Sequence, residues 1–171
     1  MNDIFYLIIH VLITRYSISI DETVPATTYF FAYMGIAAAL VFANLGASYG
    51  TAKSAVGISS LAVIDPGKIF QALIPIIMAG ILGIYGVIVA VIAKSKIDGI
   101  KNEGEGYKLL GAGLCCGLSA LAAGLAIGVA GDAGVRAYAQ TDAIFVGMIL
   151  ILIFAEAIGL YGLIVSIIML F

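Results

Sequence analysis

Residues 143–171 read AIFVGMILILIFAEAIGLYGLIVSIIMLF, a continuous apolar run broken near its middle by one carboxylic acid, Glu156. About 20 such residues suffice for a helix to cross ~30 Å of hydrocarbon. The run does not alternate, so it is a helix and not a barrel strand, and a spanning helix satisfies its own backbone hydrogen bonds. Working outward, three more runs of this kind lie at 28–49, 69–93 and 109–129. The whole chain is 63% hydrophobic and 11% charged, with a mean hydropathy of +1.19. Ordinary soluble domains carry about one-quarter charged residues. The fold class expected is therefore an all-α membrane protein of four transmembrane helices.

An internal duplication organises these helices. At an offset of 76, Ala79, Gly83, Tyr85, Gly86, Ile88, Val89 and Ile92 fall on Ala155, Gly159, Tyr161, Gly162, Ile164, Val165 and Ile168. At an offset of 78, Gly35, Leu40, Gly46 and Gly50 fall on Gly113, Leu118, Gly124 and Gly128. The chain thus reads as two tandem helical hairpins: an N-terminal extension at 1–27, a first hairpin at 28–95, a polar loop at 96–107 and a second hairpin at 108–171. Each hairpin crosses twice, so the copies share one orientation, unlike the inverted repeats of many transporters. The copies differ where it matters for chemistry, because Gly80 is the counterpart of Glu156.

An ionised acid at mid-membrane costs on the order of 2.5–3.5 kcal/mol on insertion scales, so the neutral form is the one compatible with lipid. Lys53, Lys68, Lys94, Lys96, Lys101, Lys108 and Arg136 all fall at the ends of the runs or between them. A cation for the deprotonated acid, or water to exchange its proton, must then come from another subunit. Glu156 is accordingly the candidate proton carrier, with exchange at an intersubunit surface. Sodium would need several converging oxygen ligands, and the neighbours of Gly80, namely Met78, Ile81 and Leu82, offer none. Tyr85 and Tyr161 are the phenols placed to support the acid by hydrogen bonding. No cofactor and no metal is called for.

Gly46-x-x-x-Gly50, Gly113-x-x-x-Gly117 and Gly124-x-x-x-Gly128 mark small faces for close helix packing in the first and third spans. The adjacent Cys115 and Cys116 cannot form an ordinary disulfide within a helix and read as small packing residues. The extension holds an apolar run at 4–13 with His10 inside it, too short to span unaided, and is left as interfacial or membrane-inserted. A net charge of -2 without a basic cluster excludes a nucleic-acid surface.

Three ordered motifs carry a family resemblance: Gly46-Ala-Ser-Tyr-Gly-Thr-Ala-Lys-Ser54, Val129-Ala-Gly-Asp-Ala-Gly-Val-Arg136 and Phe145-Val-Gly-Met-Ile-Leu-Ile-Leu-Ile-Phe-Ala-Glu-Ala-Ile-Gly-Leu-Tyr-Gly162. Over about 28–171 the chain resembles the 16 kDa proteolipid, or c-type ring protein, of eukaryotic vacuolar-type proton ATPases. The resemblance implies a four-helix protein repeated in a rotary ring, with the first and third helices inside and the second and fourth outside. It implies that Glu156 is the proton-carrying glutamate, served by half-channels and an arginine of the large stator subunit. Partners implied are identical and related ring subunits, a central-rotor protein on the cytosolic face and membrane lipid. It further implies a vacuole or another acidic endomembrane organelle, with the central loop lumenal although lysine counting weakly favours the cytosol. The chain has no P-loop, so ATP hydrolysis belongs to other subunits. The related c-double-prime ring protein bears its acid in a more interior helix, and small four-helix drug exporters carry theirs in the first.

Overall fold

The computed structural model describes residues 24–171. Four long helices make up this range: α1 (Ala26–Ile64), α2 (Ile74–Ile97), α3 (Glu103–Gln140) and α4 (Ile144–Leu170). A 3-10 turn at Pro66–Lys68 and one helical turn at Ile69–Ala72 lead from α1 into α2. All four long segments have the length and hydropathy to cross a membrane, so the chain is a multi-pass membrane protein. The expectation for 1–27, His10 included, lies up to residue 23 outside the described residues.

Two helices run well past the apolar stretches that announce them. α1 has 39 residues and α3 has 38, about 58 Å each at 1.5 Å per residue and nearly twice the hydrocarbon thickness. Along the polar second half of α1 the hydroxyls are satisfied on the helix's own carbonyls: Ser48 on Leu45 O, Thr51 on Ser48 O, Ser59 on Ala55 O and Ser60 on Val56 O, at 2.9 to 3.2 Å. The helix stops at Asp65, which precedes Pro66 and so avoids helical geometry (φ -142, ψ 89). The Asp65 carboxylate then accepts the Gly67 N–H at 3.1 Å.

The polar loop at 96–107 is shorter than the sequence suggests. Only the residues between Ile97 and Glu103 are non-helical. Lys94 and Lys96 lie in the last turn of α2, and Glu103 and Glu105 in the first turn of α3. Each pair opposes the partial charge of its helix end and favours continuation. Glu105 also caps, accepting the Lys101 N–H at 2.7 Å.

The core is the contact between the parallel helices α1 and α3. A Cβ built on Gly113 would strike the backbone of Gly35, and one on Gly124 the backbone of Gly46. A Cβ on Gly117 would lie 2.5 Å from Ala38 O, and one on Gly46 2.5 Å from Ala120 O. Gly50 and Gly128 complete the row: their added Cβ atoms would stand 2.9 Å from Gly124 O and 3.1 Å from Gly50 Cα respectively. Backbone therefore meets backbone with no side chain between. Gly35 stands level with Leu109 and Leu110, Gly46 with Ala120 and Leu121, and Gly57 with Asp132. Equal heights thus follow the offset of 76 to within a residue or two. The offset of 78 instead pairs glycines that face each other across the contact, because both helix faces there are small.

α2 packs on α1 and α4 on α3, leaving rows such as Ile77, Ile84 and Val91 on α2 and Ile151, Phe154 and Ile168 on α4 exposed. Cys116 is fully buried and Cys115 directs its thiol to Gly162 O at 3.9 Å; both are free. At the end carrying the α1–α2 connection, Asp132 takes Arg136 Nε at 2.7 Å and Lys53 Nζ at 3.1 Å. Lys68 joins Asp142 (2.7 Å) and Asp65 (3.4 Å) beneath the Tyr138 ring, and Tyr138 O–H donates to Gln71. Exposed ion pairs contribute ~0–1 kcal/mol each, so these fasten the ends and the glycine contact holds the fold.

Gly124→Val is expected to destroy this packing, overpacking costing ~1–3 kcal/mol or more, and to abolish a cooperative melting transition in detergent. Gly104 meets nothing within 4 Å of an added Cβ, so Gly104→Ala is expected to melt at or slightly above the parent temperature.

The candidate membrane carboxyl site

Glu156 is carried by α4 where the helix is narrow. Ala155 and Gly159 are buried and flank it on the side toward α2. A Cβ on Gly159 would lie 2.6 Å from Leu82 Cδ2, so the missing side chain admits Leu82 and lets the two helices close on one another. Opposite, Ala79 and Leu82 of α2 are fully buried and Gly83 and Gly86 seat α2 against α1.

Into this narrow seam the phenol of Tyr85 donates a hydrogen bond to Glu156 Oε1 at 2.9 Å. Helical side chains slant toward the N-terminus of their own helix, so Tyr85 reaches from its own level down to that of Glu156. Tyr85 is 9% exposed, whereas Glu156 is half-buried. One carboxyl oxygen is thus held from inside, and the acid stays open toward the outer surface between α2 and α4. Exposed Ile153, Phe154 and Ile158 give that surface an apolar character.

The two tyrosines singled out from the sequence separate here. Tyr85 reaches Glu156; Tyr161, five positions along the same helix as the acid, is 66% exposed, and among the described residues no hydrogen bond joins it to Glu156. The physical reason is that Tyr85 has α4 beside it, while within one chain Tyr161 has no helix beyond it. Gly46, Gly50, Gly113, Gly117, Gly124 and Gly128 lie on the α1–α3 contact and set the frame instead of touching the acid. Sequence reading passed over Asn44, an amide inside an apolar span, whose Oδ1 stands 2.8 Å from where a Gly83 Cβ would be. A search for amides as well as charges within the spans would have found it.

A half-buried membrane carboxyl held between two glycine-packed hairpins of one orientation defines a class, the ion-carrying ring proteins of rotary ATPases. The family model for the C subunit of ATP synthase matches residues 34–93 and again 110–169, and the chain belongs to this family, whose members form rings. The two matches are displaced by the same 76 residues that align α2 with α4. The chain is similar to the V-type proton ATPase 16 kDa proteolipid c subunit of Ovis aries, with 58% identity over 146 residues, 85% of this chain and 94% of that protein. It is 55% identical over 149 residues to the 16 kDa proteolipid of the V-type proton ATPase of Nephrops norvegicus, covering 86% of this chain and 94% of the relative. With the second of the numbered 16 kDa proteolipids of Caenorhabditis elegans it shares 54% over 153 residues, covering 86% and 95%.

Tyr85→Phe removes the phenol from Oε1 and is expected to change the rate at which dicyclohexylcarbodiimide modifies Glu156 severalfold. Tyr161→Phe should leave that rate within twofold of the parent. Mass spectrometry of the Glu156 peptide over time measures both.

Proposed function

We propose that this chain is a proton-translocating ring subunit of the membrane sector of a V-type ATPase, with Glu156 as the group that binds and releases the proton. The observation that carries the reading is the Tyr85-held, half-buried carboxyl at mid-span of α4, in a chain similar over most of its length to V-type proteolipids.

In the cycle proposed, Glu156 faces lipid as the neutral acid, which the apolar outer surface tolerates. It gives up the proton only where another subunit supplies a compensating charge and a water path, since an uncompensated carboxylate in hydrocarbon is too costly. A stator protein with an arginine between two half-channels meets both requirements: one half-channel loads the proton, ring rotation carries it, and the other releases it. ATP hydrolysis that drives the rotation takes place in other subunits. The ring itself is made of identical and related subunits, contacts a central rotor at its cytosolic face, and serves a vacuole or another acidic organelle. Tyr85 acts as a positioning residue, holding Oε1 so that Oε2 faces the exchange surface at each pass.

Carbodiimide labelling of the membrane protein across pH tests the assignment. Modification is expected at Glu156 alone, favoured by low pH and unchanged by sodium, and Glu156→Gln should abolish proton pumping in membranes that still contain assembled rings. Protection by sodium would overturn the choice of ion, and pumping that survives Glu156→Gln would overturn the role of the residue.

A further inference from the structure

Tyr85 and Tyr161 occupy the same place in the two hairpins, followed in each by a glycine, yet one is 9% exposed and the other 66%. The positions opposite their phenols differ as well. Tyr85 meets Glu156; the counterpart of Glu156 in the first hairpin is Gly80, and an added Cβ there would find nothing within 4 Å. This openness is particular to Gly80 among the neighbouring glycines of the repeat. A Cβ on Gly83 would meet Asn44 Oδ1 at 2.8 Å, one on Gly86 Ala43 Cβ at 2.5 Å, and one on Gly159 Leu82 Cδ2 at 2.6 Å.

The second hairpin stands beside the first at equal height and in the same orientation, as the levels of Gly35, Gly46 and Gly57 against α3 establish. One lateral step therefore carries α1 onto α3 and α2 onto α4. Closing a ring from such chains repeats that step between copies, carrying α4 of one chain onto α2 of the next. The step moves Tyr85 onto Tyr161 and Glu156 onto position 80 of the following copy. A phenol that slants toward the N-terminus of α4 then arrives at the level of Gly80, as the Tyr85 phenol arrives at the level of Glu156.

We propose that in the assembled ring Tyr161 of each copy enters the open space over Gly80 of the next, so that every interface between copies is a twin of the Tyr85–Glu156 seam with the carboxyl left out. The occupant of the exposed α2 face around Gly80 is a second copy of this chain. The inference rests on ring assembly and not on the proton role of Glu156, so either can fail without the other.

The test uses whole complexes in membranes, with Cys115 and Cys116 replaced by alanine. Chains carrying both Gly80→Cys and Tyr161→Cys, treated with a bifunctional maleimide about as long as the tyrosine side chain it replaces, because the two levels lie beyond disulfide reach, are expected to run as dimers and higher ladders on a denaturing gel, and chains carrying either change alone as monomers. Assembled rings, seen on a native gel, that give no ladder would overturn the proposal. A size exchange covers the case in which the cysteine pair does not assemble. Gly80→Phe is expected to block ring assembly, and adding Tyr161→Ala to the same chain to restore it. Normal assembly of Gly80→Phe alone, or no rescue by Tyr161→Ala, would equally overturn the proposal.

Discussion

Glycines of α1 and α3 meet backbone to backbone, with no side chain between them. In lipid the hydrophobic effect gives helices little reason to associate, and close van der Waals contact between small faces takes its place. This contact fixes the spacing and the height of the two hairpins, and the remaining geometry follows from it. Because the hairpins stand level, α2 and α4 come side by side with Tyr85 one phenol's reach above Glu156. A shift of one helical turn, about 5.4 Å, would take the hydroxyl out of range of the carboxyl. The glycines far from the acid are in this sense part of its placement.

The acid occupies a compromise between two environments. Full burial would deny it a route for proton exchange, and full exposure to lipid would leave its orientation undefined. A half-buried side chain with one oxygen bonded to a buried phenol has both a fixed direction and an open side. A hydrogen bond between neutral groups contributes ~0.5–1.5 kcal/mol net, enough to select a rotamer while remaining small beside the cost of stranding a charge in hydrocarbon. The duplicated hairpin supplies the phenol in both halves, but only the second half supplies the acid.

Much of this was legible in the residues. The four spans follow from uninterrupted apolar runs, and Glu156 stands out because an acid amid Ile, Leu, Phe and Ala is a functional candidate before it is interhelical hydrogen-bond glue. The small faces were legible from glycine spacing. What the sequence left open were helix ends and partners across helices. Lys94, Lys96, Glu103 and Glu105 look like loop residues by polarity, yet each favours a helix end through the charge it opposes. The serines and threonine of α1 look like breakers but bond to their own helix. Tyr85 and Tyr161 could not be told apart because local sequence is the same around both, and the difference lies in which of them has a neighbouring helix. The offset of 78 has a related cause: small residues line both facing surfaces, so a match by residue type picks glycines that meet across the contact.

Under the proposed rotary function, with Glu156 carrying the proton, Gly80 also sets a transmission ratio. A rotor built from this chain passes four helices for every carboxyl it presents, where a chain with an acid in both hairpins would pass two. For a fixed amount of work delivered per revolution, halving the ions moved doubles the free energy available to each. Moving one elementary charge against 100 mV takes ~2.3 kcal/mol, so the doubled share lets every proton climb a correspondingly steeper gradient while fewer are moved per turn. The absence of one side chain on α2 thus gears the machine low, trading flux for the height to which it can lift its cargo.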